Sequence, residues 1–223
     1  MTQPPYDFPA YRSSIKRAPK HPLIVLPPAL AVNTGPGFEE RVVGKPVTDL
    51  TRAVGGEALG ERIIVAGRVL DEHGTPVRQT LVEVWQANAA GRYRHDSDQH
   101  HAPLDPHFAG TGHALTDDDG GFRFLTIKPG PYPWANHDNA WRPSHVHFSV
   151  FGPGFGNRIV TQMYFPGDPL LPLDPIVNSI ADAAARSRLI ARFDHESLSE
   201  EGFALGYRFD IVLGGRDATP TET

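Results

Sequence analysis

The chain has 223 residues, enough for one β domain of generous size or a smaller domain with long arms, and its 22 Gly and 22 Pro favour a turn-rich architecture. A formal net charge of −5 without any basic run excludes electrostatic docking on nucleic acid or an anionic membrane, and favours a small molecule or a protein as partner. The complete lack of cysteine excludes disulfides, thiolate zinc sites, iron–sulfur ligation and cysteine nucleophiles, so any metal must be held by nitrogen and oxygen.

Residues 1–60 carry many prolines and glycines (QPPYDFP, VLPPALAV, NTGPGF) without sustained periodicity and read as an arm lying across another surface. Within it LIVLPPALAV, from Leu23 to Val32, is too short to span a bilayer and is split by Pro27 and Pro28, so it reads as a docking segment of a cytoplasmic protein. From Glu61 the pattern changes. ERIIVAGRVL and TLVEVWQ, separated by DEHGTPVRQ, predict two adjacent strands joined by a hairpin-like turn. Further strands are predicted at GFRFLTI (Gly121 to Ile127), HVHFSVF (His145 to Phe151), RIVTQMYF (Arg158 to Phe165) and GYRFDIVL (Gly206 to Leu213). The series implies an all-β sandwich over residues 61–216 that carries the chemistry, followed by a tail at 217–223. Apolar spacing in IVNSIADAAARSRLIARF predicts a single helix between Ile176 and Phe193.

Eight of the 11 histidines fall between His95 and His147, in a loop-rich region hung on few strands, where function usually sits. In WRPSHVHF, His145 and His147 are two apart in a strand and point to one face, with room for one ion between them. Taken alone, the pair reads more readily as two hydrogen-bonded or exposed imidazoles than as ligands. The three aspartates of TDDDGG, Asp117 to Asp119, read as a solvated turn ahead of a strand and not as a calcium loop, and GPGFG after Phe151 as a plain turn. Tyr93 in AAGRYRHD and Tyr132 in KPGPYPWAN lie in loops beside the strands that flank the histidines. A phenol with a pKa of about 10 ligates only an ion acidic enough to remove its proton, so a Tyr/Tyr/His/His set would point to ferric iron. Without such partners a loop tyrosine caps a core edge.

GRYRH, PGPYPW and RPSHVHF occur in this order and spacing, with LVEVWQAN before them and TQMYFPGDP after. The chain resembles the intradiol ring-cleaving dioxygenases from about Tyr11 to Leu213. That resemblance implies a transthyretin-like (prealbumin-like) antiparallel β-sandwich with a non-haem Fe(III) centre. It places the iron ligands on Tyr93, Tyr132, His145 and His147, with Tyr132 the one that leaves when substrate binds. Arg142 corresponds to an arginine over the substrate ring, Gln162 to its glutamine partner, Trp134 and Ile176 to the ring pocket, and Tyr11 to a tyrosine near the substrate carboxylate. Seen singly, Arg142 reads as a surface ion-pair residue, Gln162 as solvent-facing, and Trp134 and Ile176 as core.

Within the family, the likeness is to the iron-bearing chain of members built from two kinds of subunit. It therefore implies cleavage of protocatechuate (3,4-dihydroxybenzoate) with O2 to 3-carboxy-cis,cis-muconate, in the beta-ketoadipate pathway, with an alpha subunit as partner in a hetero-oligomer. Both oxygen atoms end in product, so no reductant is required, in keeping with the lack of a nicotinamide or flavin fingerprint. Three other readings use the same residues differently: an intradiol dioxygenase for another catechol, a zinc hydrolase or cupin-like protein adding a histidine such as His107, and a non-catalytic transthyretin-like binding module.

Overall fold

The computed structural model describes residues 2–22, 24, 43–52, 55–134, 136, 138, 141–151 and 158–222. Apart from Ile24, the expected docking segment lies outside the described residues, as does the GPGFG turn. No helix among the described residues is long and apolar enough to cross a membrane.

Two sheets face each other. One is built on β1 (Arg62–Leu70), which pairs antiparallel with β4 (Gly121–Ile127) on one side and parallel with β10 (Leu205–Arg208) and β11 (Ile211–Val212) on the other, β10 continuing to β9 (Arg192–Phe193). The second is antiparallel throughout, in the order β3 (Thr111–Leu115), β2 (Leu81–Trp85), β7 (His145–Phe151), β8 (Arg158–Tyr164). A two-stranded ribbon of β5 (Tyr132–Pro133) and β6 (Trp141–Arg142) stands apart, and a single helical turn, α1 (Ser14–Arg17), lies in the arm.

Alternation decides which side chains meet between the sheets. Ile63, Val65 and Val69 of β1 and Phe122 and Phe124 of β4 pack against Val82 and Val84 of β2 and Val146, Phe148 and Val150 of β7. The intervening Ile64 and Ala66 are covered from outside by Ala204, Leu125 and Leu198, which is why β1 reads as a continuous apolar run from Ile63 to Gly67. The core residues of β7 are its even positions, so His145 and His147 are turned to the outer face of the second sheet, beneath the loops.

The expected hairpin between β1 and β2 is not formed, because the two strands belong to opposite sheets. A tight turn does exist: the Asp71 carboxylate accepts from the amides of His73 and Thr75, and Val77 N–H returns to the carbonyl of Val69. Gln79 then adopts φ +50°, the one non-glycine positive φ among the described residues, and the chain crosses to the other sheet before β2. The single helix expected between Ile176 and Phe193 is likewise divided, into α2 (Pro175–Asn178) and α3 (Ala183–Ser187), with β9 beyond. Asp174 accepts from the amides of Ile176 and Val177, and Asp182 from those of Ala184 and Ala185; an aspartate is better used at a cap than inside a helix, so Asp182 starts a second one. GYRFDIVL forms β10 and β11 with a break at Phe209 and Asp210, where Asp210 takes the amide proton of Arg68. There the Phe209 carbonyl comes so close to Gly67 that a Cβ would sit 1.9 Å from its oxygen.

Candidate metal centre

Register on the outer face of the second sheet sets the first neighbours. His147 lies opposite Trp85 on one side and Gln162 on the other, while His145 lies opposite Tyr164. The Trp85 ring stacks on His147 with centroids 4.8 Å apart and an interplanar angle of 5°. Both imidazoles are anchored through Nδ1, which in His145 donates to the Pro143 carbonyl (2.7 Å) and in His147 to the Glu222 carboxylate (2.8 Å). In the neutral rings this leaves the lone pairs on Nε2. Burial, followed by the charge of Arg142 and by His147, drives the pKa of His145 well below the ordinary imidazole value, so its ring stays neutral.

The two tyrosines arrive on loops that interlock. Asn88, just past β2, accepts at its side-chain oxygen from the amides of Ala90 (2.9 Å) and Arg92 (3.0 Å), and its own carbonyl takes the amide proton of Gly130 (3.0 Å). Gly91, at φ +76°, lies so near the neighbouring loop that a Cβ would come within 2.0 Å of the Pro131 oxygen. GRYRH and PGPYPW are thus two halves of one contact, and the glycines permit it. Tyr93 is held by its backbone N–H, which donates to the Asp98 carboxylate (2.7 Å), and Tyr132 pairs with Arg142 across the ribbon. The Tyr93 hydroxyl stands 3.1 Å from His145 Nε2, and the Tyr93 and Tyr132 rings meet edge-on with centroids 5.1 Å apart.

Burial pushes the Tyr93 phenol far above its ordinary pKa, and the nearby Arg142 charge offsets only part of that. Tyr132, whose hydroxyl is much less enclosed, is also raised by burial. The site therefore offers a neutral imidazole at His145, the ring of His147 beside it and two neutral phenols. Among the described residues no group of three or more His, Cys, Asp or Glu could hold a metal ion. His107 lies beside Gly56 in another loop and does not line this cavity; His95 does line it, with its Nδ1 engaged by Ser97. The donors that do surround the pair are phenolic, and two phenols fit a hard trivalent ion, whose charge would remove their protons and compensate the buried phenolates.

Arg142 lies within this group with 3% of its surface exposed. Its Nε donates to Asp174 (2.9 Å), Nη2 to the Gln162 oxygen (2.5 Å) and the Tyr164 hydroxyl (2.9 Å), and Nη1 to His145 Nε2 (3.2 Å). The guanidinium carbon sits 5.2 Å from the centroid of the Trp134 ring. Burial opposes its charge, but Tyr164 and Asp174 outweigh that, so the guanidinium stays protonated.

All nine residues singled out in the sequence line one cavity of about 320 Å3, open to solvent, within the usual size range of small-molecule sites of roughly 300–1,000 Å3. Tyr11 comes from the first residues of the chain and packs edge-on against Trp134 with centroids 4.8 Å apart. Sequence reasoning did not find Trp85, Asp98, Asp174, Tyr164 or Glu222. For Trp85 and Tyr164 a signal existed: each faces a histidine across a strand pair, once the register is known.

A dioxygenase family model matches residues 33–215, and a model described as the N terminal of the protocatechuate 3,4-dioxygenase beta subunit matches residues 1–29. The protocatechuate 3,4-dioxygenase beta chain of Burkholderia cepacia is 60% identical over 223 residues, covering 99% of this chain and 94% of that one. The protocatechuate 3,4-dioxygenase alpha chain of Pseudomonas putida is 30% identical over 207 residues, covering 89% and 97%. Among solved structures, the dioxygenase domain of a dioxygenase and carbohydrate-binding protein fusion from Streptomyces sp. SirexAA-E superimposes with a TM-score of 0.54 at 29% identity, covering 80% of this chain and 93% of that one.

Proposed function

The chain belongs to the intradiol dioxygenase family, and from that premise we propose that it cleaves protocatechuate with O2 to 3-carboxy-cis,cis-muconate, in the beta-ketoadipate route of aromatic degradation. The observation that carries the reading is the convergence of two phenols and two Nδ1-anchored imidazoles in one cavity beside a buried arginine. Proteins of this family generally depend on non-haem iron. Here Tyr93, Tyr132, His145 and His147 would hold it as Fe3+, and bound there it would supply Lewis-acid activation of a catechol towards O2.

The remaining work falls to the chain. Tyr132, with the less enclosed hydroxyl, is the phenolate suited to taking a proton at Oη from an entering catechol, while Tyr93 stays fixed beside His145. Trp134, Ile176 and Tyr11 bound the space for the ring. Arg142 stays charged and is aimed by Asp174 and Gln162, so it is pre-organised to stabilise negative charge as it develops on that ring. Tyr11, at the cavity wall, is one contact for the substrate carboxylate. An alpha subunit supplies the rest of that contact, docked on the arm of residues 1–60; in support, the chain resembles proteins named as alpha and as beta chains.

Tyr132→Phe tests the proton step. It is expected to retain iron, because three donors remain, and to slow anaerobic catechol binding by about 10²-fold, the lower range for a positioned acid or base. Rapid mixing with protocatechuate reads this directly; binding and turnover at the unaltered rates would remove Tyr132 from the proposed role.

A further inference from the structure

The C-terminal tail enters the metal centre. Beyond β11 the chain comes alongside β8, the edge strand of its sheet, and bonds to it at Val160 and Thr161. Thr161 Oγ1 donates to the Pro220 carbonyl (2.6 Å), and the amide of Glu222 donates to the Val160 carbonyl (2.8 Å). From the other side Gln3 accepts the amide proton of Thr221 (2.8 Å) and donates its own to the Thr219 carbonyl (3.3 Å). The tail is therefore clamped between an edge strand and the first residues of the arm.

That clamp delivers one carboxylate to the cavity wall. Oε2 of Glu222 accepts from His147 Nδ1 (2.8 Å) and from Gln162 Nε2 (2.5 Å). The first bond commits the His147 ring, when neutral, to the tautomer whose lone pair is on Nε2. The second fixes the Gln162 amide, so that its oxygen, not its nitrogen, faces Nη2 of Arg142 (2.5 Å) and the hydroxyl of Tyr164 (2.7 Å). One oxygen atom thus orients a ligand on one side and, through Gln162, the ring-facing arginine on the other.

We propose that Glu222 is a positioning residue of the metal centre, which holds His147 in its ligating tautomer and Gln162 in the orientation that Arg142 requires. The inference rests on the reading of Tyr93, Tyr132, His145 and His147 as an iron site. The backbone bond of residue 222 and the anchors at Pro220 and Thr221 do not need the carboxylate, so truncating the side chain leaves the tail in place.

The experiment uses the full chain with its partner subunit, loaded with Fe3+ and then challenged with an excess of a strong iron chelator, following the visible band and the iron released. Glu222→Ala is expected to lose iron about 10–100-fold faster than the parent, the range seen when the carboxylate behind a metal-bound histidine is removed. Glu222→Gln keeps an acceptor oxygen for both bonds and is expected to fall between the two. Asp217→Asn, in the same tail but 83% exposed and away from the cavity, is the control for a general loosening of the tail and is expected to match the parent. Release from Glu222→Ala at the parent rate, or equal acceleration in Asp217→Asn, overturns the inference while leaving the iron site intact. A parent protein that takes up no iron overturns the underlying reading, and the inference falls with it.

Discussion

Replacing Arg142 by leucine is expected to leave the iron and its colour in place and to lower turnover of protocatechuate by about 10²–10³-fold, the cost of removing a single pre-organised donor from a site of developing charge. No ligand is lost, because the four proposed donors are other residues. What disappears is a cation that is 3% exposed and held on three sides by Asp174, Gln162 and Tyr164. The loss should therefore fall on kcat more than on metal content. Leucine also leaves the Asp174 carboxylate buried without its partner, and breaking a buried pair in this way costs roughly 3–5 kcal/mol. Stability and catalysis can be told apart with the double variant Arg142→Leu/Asp174→Asn, which removes the stranded charge. It should regain thermal stability relative to Arg142→Leu and remain just as slow. Recovery of turnover along with stability would show that the arginine acts only through the fold.

The second large effect is expected at Asp174, whose side chain is fully buried. Oδ2 accepts from Arg142 Nε, and Oδ1 from the amides of Ile176 (2.7 Å) and Val177 (3.1 Å) at the start of α2. One carboxylate thus pairs the buried guanidinium and caps the helix that brings Ile176 to the cavity wall. Asp174→Ala is expected to destabilise the protein by about 3–5 kcal/mol from the stranded guanidinium, with about 1 kcal/mol more from the lost cap. Chemical denaturation reads the sum. A midpoint shift equivalent to less than about 1 kcal/mol would mean that the ion pair stabilises the fold no more than an exposed one does.

The strands that build the sandwich were legible because period-two alternation and bounding turn residues are local properties. The same reasoning put His145 and His147 on one face, and the structure shows that face to be the one away from the core. Where local signals misled, a longer-range choice had overridden them. The Asp71 turn looks like a hairpin turn and folds like one, but Gln79 sends the chain to the other sheet. The alanine-rich run looks like one helix, but Asp182 gains more as a cap than as an interior residue.

The site divides in the same way. Gly91 and Gly130 mark the tyrosine loops as places of close approach, yet only the folded chain shows that the two loops approach each other. Asp174 and Glu222 had no local signature, since each acts on a residue far away in sequence: Asp174 on Arg142, and Glu222 on His147. In a Pro- and Thr-containing tail, no spacing rule announces a carboxylate that reaches a histidine 75 positions away.

The central claim is ferric phenolate ligation in a cavity that takes a catechol, and a visible absorption spectrum tests it most directly. The protein, prepared together with its alpha partner and analysed for metal, is measured before and after anaerobic addition of protocatechuate. The account predicts about one iron per site, a red-brown tyrosinate-to-iron band, and a shift of that band when the catechol binds. A colourless protein fully loaded with another metal, or one that binds none, would contradict it.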